Sequence, residues 1–202
     1  MNCSHIREQF PALSQKVYGK PLVYLDNGAT TQKPRQVLDV LQEMQGGLNG
    51  NIHRAVHYLS VQCTERYDKA RATIRDFINA ASADEVIFTS GTTASLNLLA
   101  YSFGQTYIRP GDRIVVTGAE HHSNIVPWQM MCKRTGASLE VWDIDDSGAM
   151  DPKKLEQILD KPGEKPKLLA ITHISNVLGL VNPLSHIIRI AHYYNVPVAV
   201  DG

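Results

Sequence analysis

The stretch Val86-Ile87-Phe88-Thr89-Ser90-Gly91-Thr92-Thr93-Ala94-Ser95-Leu96-Asn97 decides the fold class. Four residues of strand-forming character run into a Ser-Gly turn, and two threonines then open a helical segment. Gly91 lets the backbone turn sharply. Thr92 and Thr93 bring hydroxyls to a helix N-terminus whose first N–H groups lack intrahelical partners, and such an end attracts anions. The pattern reads as a phosphate cradle or, equally simply, as a Thr-capped helix following a strand.

Towards the C-terminus the same rhythm repeats. Strands are expected at 86–89, Arg113–Thr117, 139–144, 168–172 and 196–200. Helices are expected between them at 93–103, 125–134 (before Gly136), Pro152–Leu159 (after an Asp151 cap) and 184–194. The middle strands are almost continuously apolar, which suits an α/β fold with a mainly parallel sheet covered by helices on both faces. Towards the N-terminus the pattern is looser. A short helix over 4–10 ends at Pro11, and Leu22-Val23-Tyr24-Leu25 stops at the polar loop Asp26-Asn27-Gly28-Ala29-Thr30-Thr31. Pro34 opens a helix through Val37, Leu38, Leu41 and Met44 that Gly46-Gly47 ends. A second helix over 61–78 takes Ser60 as N-cap and buries Tyr67, Ala70, Ile74, Phe77 and Ile78. Ser82-Ala83-Asp84-Glu85 has the spacing of a capping box, but the β-rich run after it favours a strand. Residues 1–80 thus read as an arm and helices packing on a main domain, and 81–202 as the first part of an α/β large domain.

Composition narrows the functions. Twenty basic and twenty acidic side chains cancel, so no charge excess points to nucleic acid or an anionic membrane. Cys3, Cys63 and Cys132 show no C-x-x-C spacing and read as free thiols in a reducing compartment. Neither a signal-peptide pattern nor an apolar run of about 18 residues occurs, so a soluble cytoplasmic protein is expected.

In a sheet of this kind, ligands bind where the chain leaves the strand C-termini. The loops there are Ser90-Gly91-Thr92-Thr93, Ala119-Glu120-His121-His122-Ser123-Asn124, His173-Ile174-Ser175-Asn176 and Asp201-Gly202, all rich in polar groups. Asp201 closes an apolar strand and needs a cationic partner unless it is a turn residue or cap. His121 alone on a loop reads as a hydrogen-bonding residue ahead of a catalyst, and Asn176 alone as a turn residue before Gly179. His121 and His122 are adjacent, and His53 and His57 lack a predicted helix, so zinc is not expected. No G-x-S-x-G, Walker loop or G-x-G-x-x-G occurs.

Taken together, Leu25-Asp26-Asn27-Gly28-Ala29, His53-Arg54, Gly91-Thr92-Thr93, Glu120-His121-His122-Ser123-Asn124-Ile125-Val126-Pro127-Trp128, Thr172-His173-Ile174-Ser175-Asn176-Val177-Leu178-Gly179 and Val200-Asp201-Gly202 resemble the class V aminotransferase family. The likeness is strongest to its SUF-type cysteine desulfurases, relatives of selenocysteine lyases. It implies a fold-type I pyridoxal-phosphate-dependent transferase large domain and a homodimer. The implied reaction converts L-cysteine to L-alanine, with sulfur held as an enzyme persulfide for an acceptor protein and iron–sulfur cluster assembly. Selenocysteine lyase (acting on L-selenocysteine) and cysteine-sulfinate desulfinase are the alternatives. By this resemblance Thr92 and Thr93 hold the cofactor phosphate, Asp201 pairs with the pyridinium nitrogen, and His121 stacks on the ring and shuttles protons. Asn176 meets the ring oxygen or the substrate carboxylate, and Gly28, His53 and Arg54 belong to the substrate entrance. Ala94 departs from the acidic residue frequent at that place.

The resemblance also implies two residues that this sequence does not carry. These are a lysine in a downstream Ser-Gly-His-Lys motif that joins the cofactor covalently, and a later nucleophilic cysteine. The 202 residues are accordingly expected to be an N-terminal portion, inactive alone and poorly soluble or partly disordered for want of two sheet strands, or a non-catalytic remnant acting as an interaction module.

Overall fold

The computed structural model describes residues 3–54, 56–163 and 166–202, which divide into two compact units, Met1–Phe88 and Thr89–Gly202. The N-terminal unit starts with α1 (Ser4–Arg7) and the two-residue strands β1 (Lys16–Val17) and β2 (Lys20–Pro21), paired antiparallel. Tyr18 and Gly19 join them with φ of 51° and 77°, as a tight primed turn requires. Helix α2 (Arg35–Gly46) starts after Pro34, and α3 (Tyr58–Phe77) follows. Arg66 of α3 grips Glu43 of α2 through two hydrogen bonds of 2.7 and 2.8 Å. That pairing holds the Glu43 carboxyl below the usual carboxylate range and pushes Arg66 up.

Three expectations change here. The N-cap of α3 is His57, whose Nδ1 accepts from the Ser60 N–H, so the helix starts earlier than Ser60. Ser60 is instead buried and donates to the Asn51 carbonyl, tying the chain at Asn51 to the helix. The apolar stripe expected to be buried is largely open: Phe77 is 87% exposed and Ile78 55%. Helical periodicity marks a face suited to burial, but it does not supply the surface that covers it. Lastly, Ser82 and Glu85 do form the capping box, closing a 3₁₀ turn at Ala83–Glu85. The next segment, 86–89, is not a strand and has no ladder partner among the described residues. Its β-forming composition records fitness for a pleated surface, and pairing is a tertiary event. Arg71 holds the segment's start by donating to the Val86 carbonyl, with its guanidinium 5.2 Å from the Tyr67 ring and 5.3 Å from that of Phe88.

The second unit carries α4 (Thr92–Tyr107), β3 (Arg113–Thr117), α5 (Val126–Thr135), β4 (Ser138–Trp142), α6 (Pro152–Leu159), β5 (Pro166–Thr172), α7 (Leu184–Tyr193) and β6 (Val198–Asp201). The four strands form one parallel sheet in the order β4-β3-β5-β6. Successive residues point to opposite faces of a strand. Ile114, Val116, Leu168 and Ala170 therefore pack with Ala100 of α4 and with Trp128 and Met131 of α5. Val115, Leu169 and Ile171 pack on the other side with Leu155 and Leu159 of α6 and Ile187 of α7. The expected α/β architecture, a parallel sheet with helices on both faces, is what the unit shows.

Helices α4 and α5 approach closely because Gly104 is buried against Met131, leaving no room for a Cβ. Gly104→Val is expected to lower the unfolding free energy by about 1–3 kcal/mol through overpacking, to be measured by urea melts. An unchanged midpoint would show that Met131 yields freely.

Candidate functional site

The strand order creates a crevice. From the C-terminal end of β3 the chain turns to α5 on one face, whereas from the adjacent β5 it turns to α7 on the other. Diverging loops at neighbouring strand ends open a ligand site at such a switch point. Glu120 lies in this crevice, half-buried. Its Oε1 accepts from Thr117 Oγ1 at the end of β3 (2.5 Å) and from the Thr172 N–H at the end of β5 (2.8 Å). Its Oε2 accepts from Asn124 Nδ2 (2.6 Å). Asn124 is fully buried, and its Oδ1 accepts from Trp128 Nε1 (3.0 Å), so the amide can turn only its NH₂ towards Glu120. Burial pushes the Glu120 carboxyl above the usual carboxylate range, the three hydrogen bonds offset part of that, and the charge of Asp201 adds to it.

His121, next in the chain, caps the 3₁₀ turn His122–Asn124. Its Nδ1 accepts from the Ser123 N–H (3.1 Å) and lies 2.8 Å from Ser123 Oγ, while the ring itself is exposed. Asp201 ends β6 directly opposite Thr172. Its carbonyl accepts from the His173 N–H (2.7 Å) and from Thr172 Oγ1 (3.3 Å), so main-chain bonds set the position of the half-buried carboxylate. Asn176 is exposed on the excursion between Ile174 and Val181, which pair in an isolated bridge. Buried Ser175 closes that excursion, accepting from the Leu178 N–H at its Oγ and from the Gly179 N–H at its carbonyl.

Gly91, at φ 146°, precedes α4 in a backbone region that favours glycine. The helix has no side-chain cap, and Thr92 and Thr93 are exposed. Thr89 and Ser95 instead brace the entry, with their hydroxyls 2.6 Å apart and both bonded to the Gly91 carbonyl. The first N–H groups of such a helix have no intrahelical partner, the feature that suits a helix start to an anion.

The structure thus places His121, Asn176 and Asp201 on loops or strand ends at the C-terminal edge of the sheet, and Thr92 and Thr93 on a helix of the same unit. Gly28, His53 and Arg54 belong to the N-terminal unit. Gly28 sits in a turn closed by the Thr30 N–H on the Asp26 carbonyl. His53 holds a left-handed backbone (φ 59°), and its ring lies edge-on to Tyr67 with Nε2 3.6 Å from Asp68. Arg54 is exposed. Glu120, Asn124 and Trp128 are what sequence reasoning missed as a functional group. Their four-residue spacing was the available signal, although the Thr172 partner lies 52 residues from Glu120.

The second unit thus combines an uncapped helix start at Thr92 with a carboxylate at the end of a parallel strand, Asp201. The chain belongs to the aminotransferase class-V family, which residues 23–202 match. A probable cysteine desulfurase of Halalkalibacterium halodurans is 46% identical over 202 residues, covering 100% of this chain and 49% of that protein. The cysteine desulfurase of Escherichia coli K12 is 46% identical over 197 residues, covering 98% and 48%. Among solved structures, the apo cysteine desulfurase of Thermococcus onnurineus superposes with a TM-score of 0.87 at 33% identity, covering 98% of this chain and 46% of that one. The cysteine desulfurase CsdA of Escherichia coli, in an S-sulfonic acid form, gives 0.84 at 34% identity, covering 100% and 49%. The chain spans about half the length of these relatives. No described helix is long and apolar enough to cross a membrane.

Proposed function

We propose that this chain forms the phosphate- and ring-holding part of a pyridoxal-phosphate-dependent cysteine desulfurase, which releases L-alanine from L-cysteine and keeps the sulfur as an enzyme persulfide for an acceptor protein. One observation carries the reading: cysteine desulfurases of two bacteria align with 98–100% of the chain at 46% identity. The residues fit the cofactor. The uncapped start of α4, with exposed Thr92 and Thr93, suits a phosphate, and the carboxylate of Asp201 suits a protonated ring nitrogen. Bound there, pyridoxal phosphate supplies an electron-withdrawing ring that weakens bonds at the substrate Cα and Cβ.

The chain's own residues do the rest. Asp201 keeps positive charge on the ring nitrogen, His121 covers a ring face, and Asn176 donates its amide to the ring oxygen or the substrate carboxylate. Gly28, His53 and Arg54 complete the substrate entrance, and the working form is a cytoplasmic homodimer. Two measurements test the reading. Reading the coding frame beyond codon 202 should reveal a Ser-Gly-His-Lys motif and a later cysteine. The full-length protein should then release alanine and, with a thiol reductant, sulfide from L-cysteine in equal amounts. Absence of the motif, or alanine release from L-selenocysteine alone, overturns the desulfurase reading.

A further inference from the structure

The imidazole of His121 is fixed by its own turn. A peptide N–H can only donate, so the Ser123 N–H, 3.1 Å from Nδ1, requires a lone pair on that nitrogen. In the neutral ring the proton must then sit on Nε2. We propose that Ser123 is a positioning residue whose main-chain N–H holds His121 as the Nε2–H tautomer, making its outward nitrogen a hydrogen-bond donor and not a proton acceptor.

Two further features keep the arrangement in place. The Ser123 hydroxyl lies 2.8 Å from the same Nδ1 and can donate to it as well. The turn ends at Asn124, fully buried and bonded to both Glu120 and Trp128, and the Asn124 N–H donates to the His121 carbonyl (2.8 Å). The turn therefore cannot swing the Ser123 N–H away without breaking buried hydrogen bonds. The proton shuttling expected of His121 narrows accordingly: the neutral ring gives a hydrogen bond from Nε2 and takes no proton there. The bearing of this on catalysis rests on the proposed function, whereas the tautomer itself does not.

The test is a two-bond ¹H–¹⁵N correlation spectrum of the full chain labelled at histidine nitrogens, without cofactor, at a pH above the ordinary imidazole range. The His121 signals are identified by their loss in His121→Gln. Nδ1 should fall in the pyridine-type range and Nε2 in the pyrrole-type range. Ser123→Ala keeps the peptide N–H and should leave that pattern in place. The reverse pattern, averaged shifts at both nitrogens, or inversion in Ser123→Ala would overturn the proposal. The expected spectrum in a protein that releases no alanine from cysteine supports the tautomer and counts only against the desulfurase reading.

Discussion

Glu120→Ala is expected to lower the unfolding free energy of the chain by about 2–6 kcal/mol, among the largest effects of any single polar substitution in it. The substitution leaves two buried donors without an acceptor, the Thr172 N–H and the Asn124 amide, and each such loss costs about 1–3 kcal/mol. Glu120→Gln separates charge from shape. The glutamine carbonyl can serve Thr117 and Thr172, but its NH₂ then faces the NH₂ of Asn124, which Trp128 prevents from flipping. A loss of about 1–3 kcal/mol is expected for that one broken link.

The sign of the pH dependence follows from the raised carboxyl of Glu120. The native chain binds this proton at higher pH than the unfolded chain does. Stability from this group is therefore fully present below the unfolded carboxylate value and declines as pH rises through the higher native value. The gap between wild type and Glu120→Gln should shrink over that window. Urea melts at several pH values measure both effects, and a gap that widens with pH would refute the assigned burial of this carboxyl.

Much of the fold is legible because its signals are local. Strand β3 and helix α6 fall where apolar runs and the Asp151 cap place them, since an apolar run and a cap depend on neighbours in sequence. Segment 86–89 is misread because its strand character is intrinsic while its ladder is not. Phe77 and Ile78 fail for the same reason, as periodicity names a face but not its cover. For the site, Thr92, Thr93 and Asp201 stand out as polar groups ending apolar or glycine-bearing runs. Glu120 was passed over because its meaning lies in Thr172, reached only when β3 and β5 become neighbours. The His57 cap of α3 was hidden differently: histidine is not among the usual capping residues, so propensity pointed to Ser60.

Asp201→Ala is expected to reduce alanine release from cysteine by the full-length protein by about two to three orders of magnitude, with folding preserved. The magnitude is that of losing one preorganised electrostatic contact to charge that develops in the reaction, about 3–4 kcal/mol. Folding should survive because the bonds that place Asp201 come from its main chain: its carbonyl accepts from His173 N–H and Thr172 Oγ1, and β6 pairs with β5 through Leu169–Thr172. Removing the side chain touches none of these, and it relieves the like charge that Asp201 places near Glu120. Asp201→Asn sharpens the comparison, keeping size and polarity while removing the charge. If the carboxylate acts by holding a proton on the ring nitrogen, Asp201→Asn should be nearly as impaired as Asp201→Ala. Both should bring the Glu120 carboxyl closer to its ordinary range, so the gap to Glu120→Gln should shrink less with rising pH in either background. Turnover near that of wild type in Asp201→Ala would remove Asp201 from the cofactor site. An active Asp201→Asn beside an inactive Asp201→Ala would assign it a hydrogen bond in place of a charge.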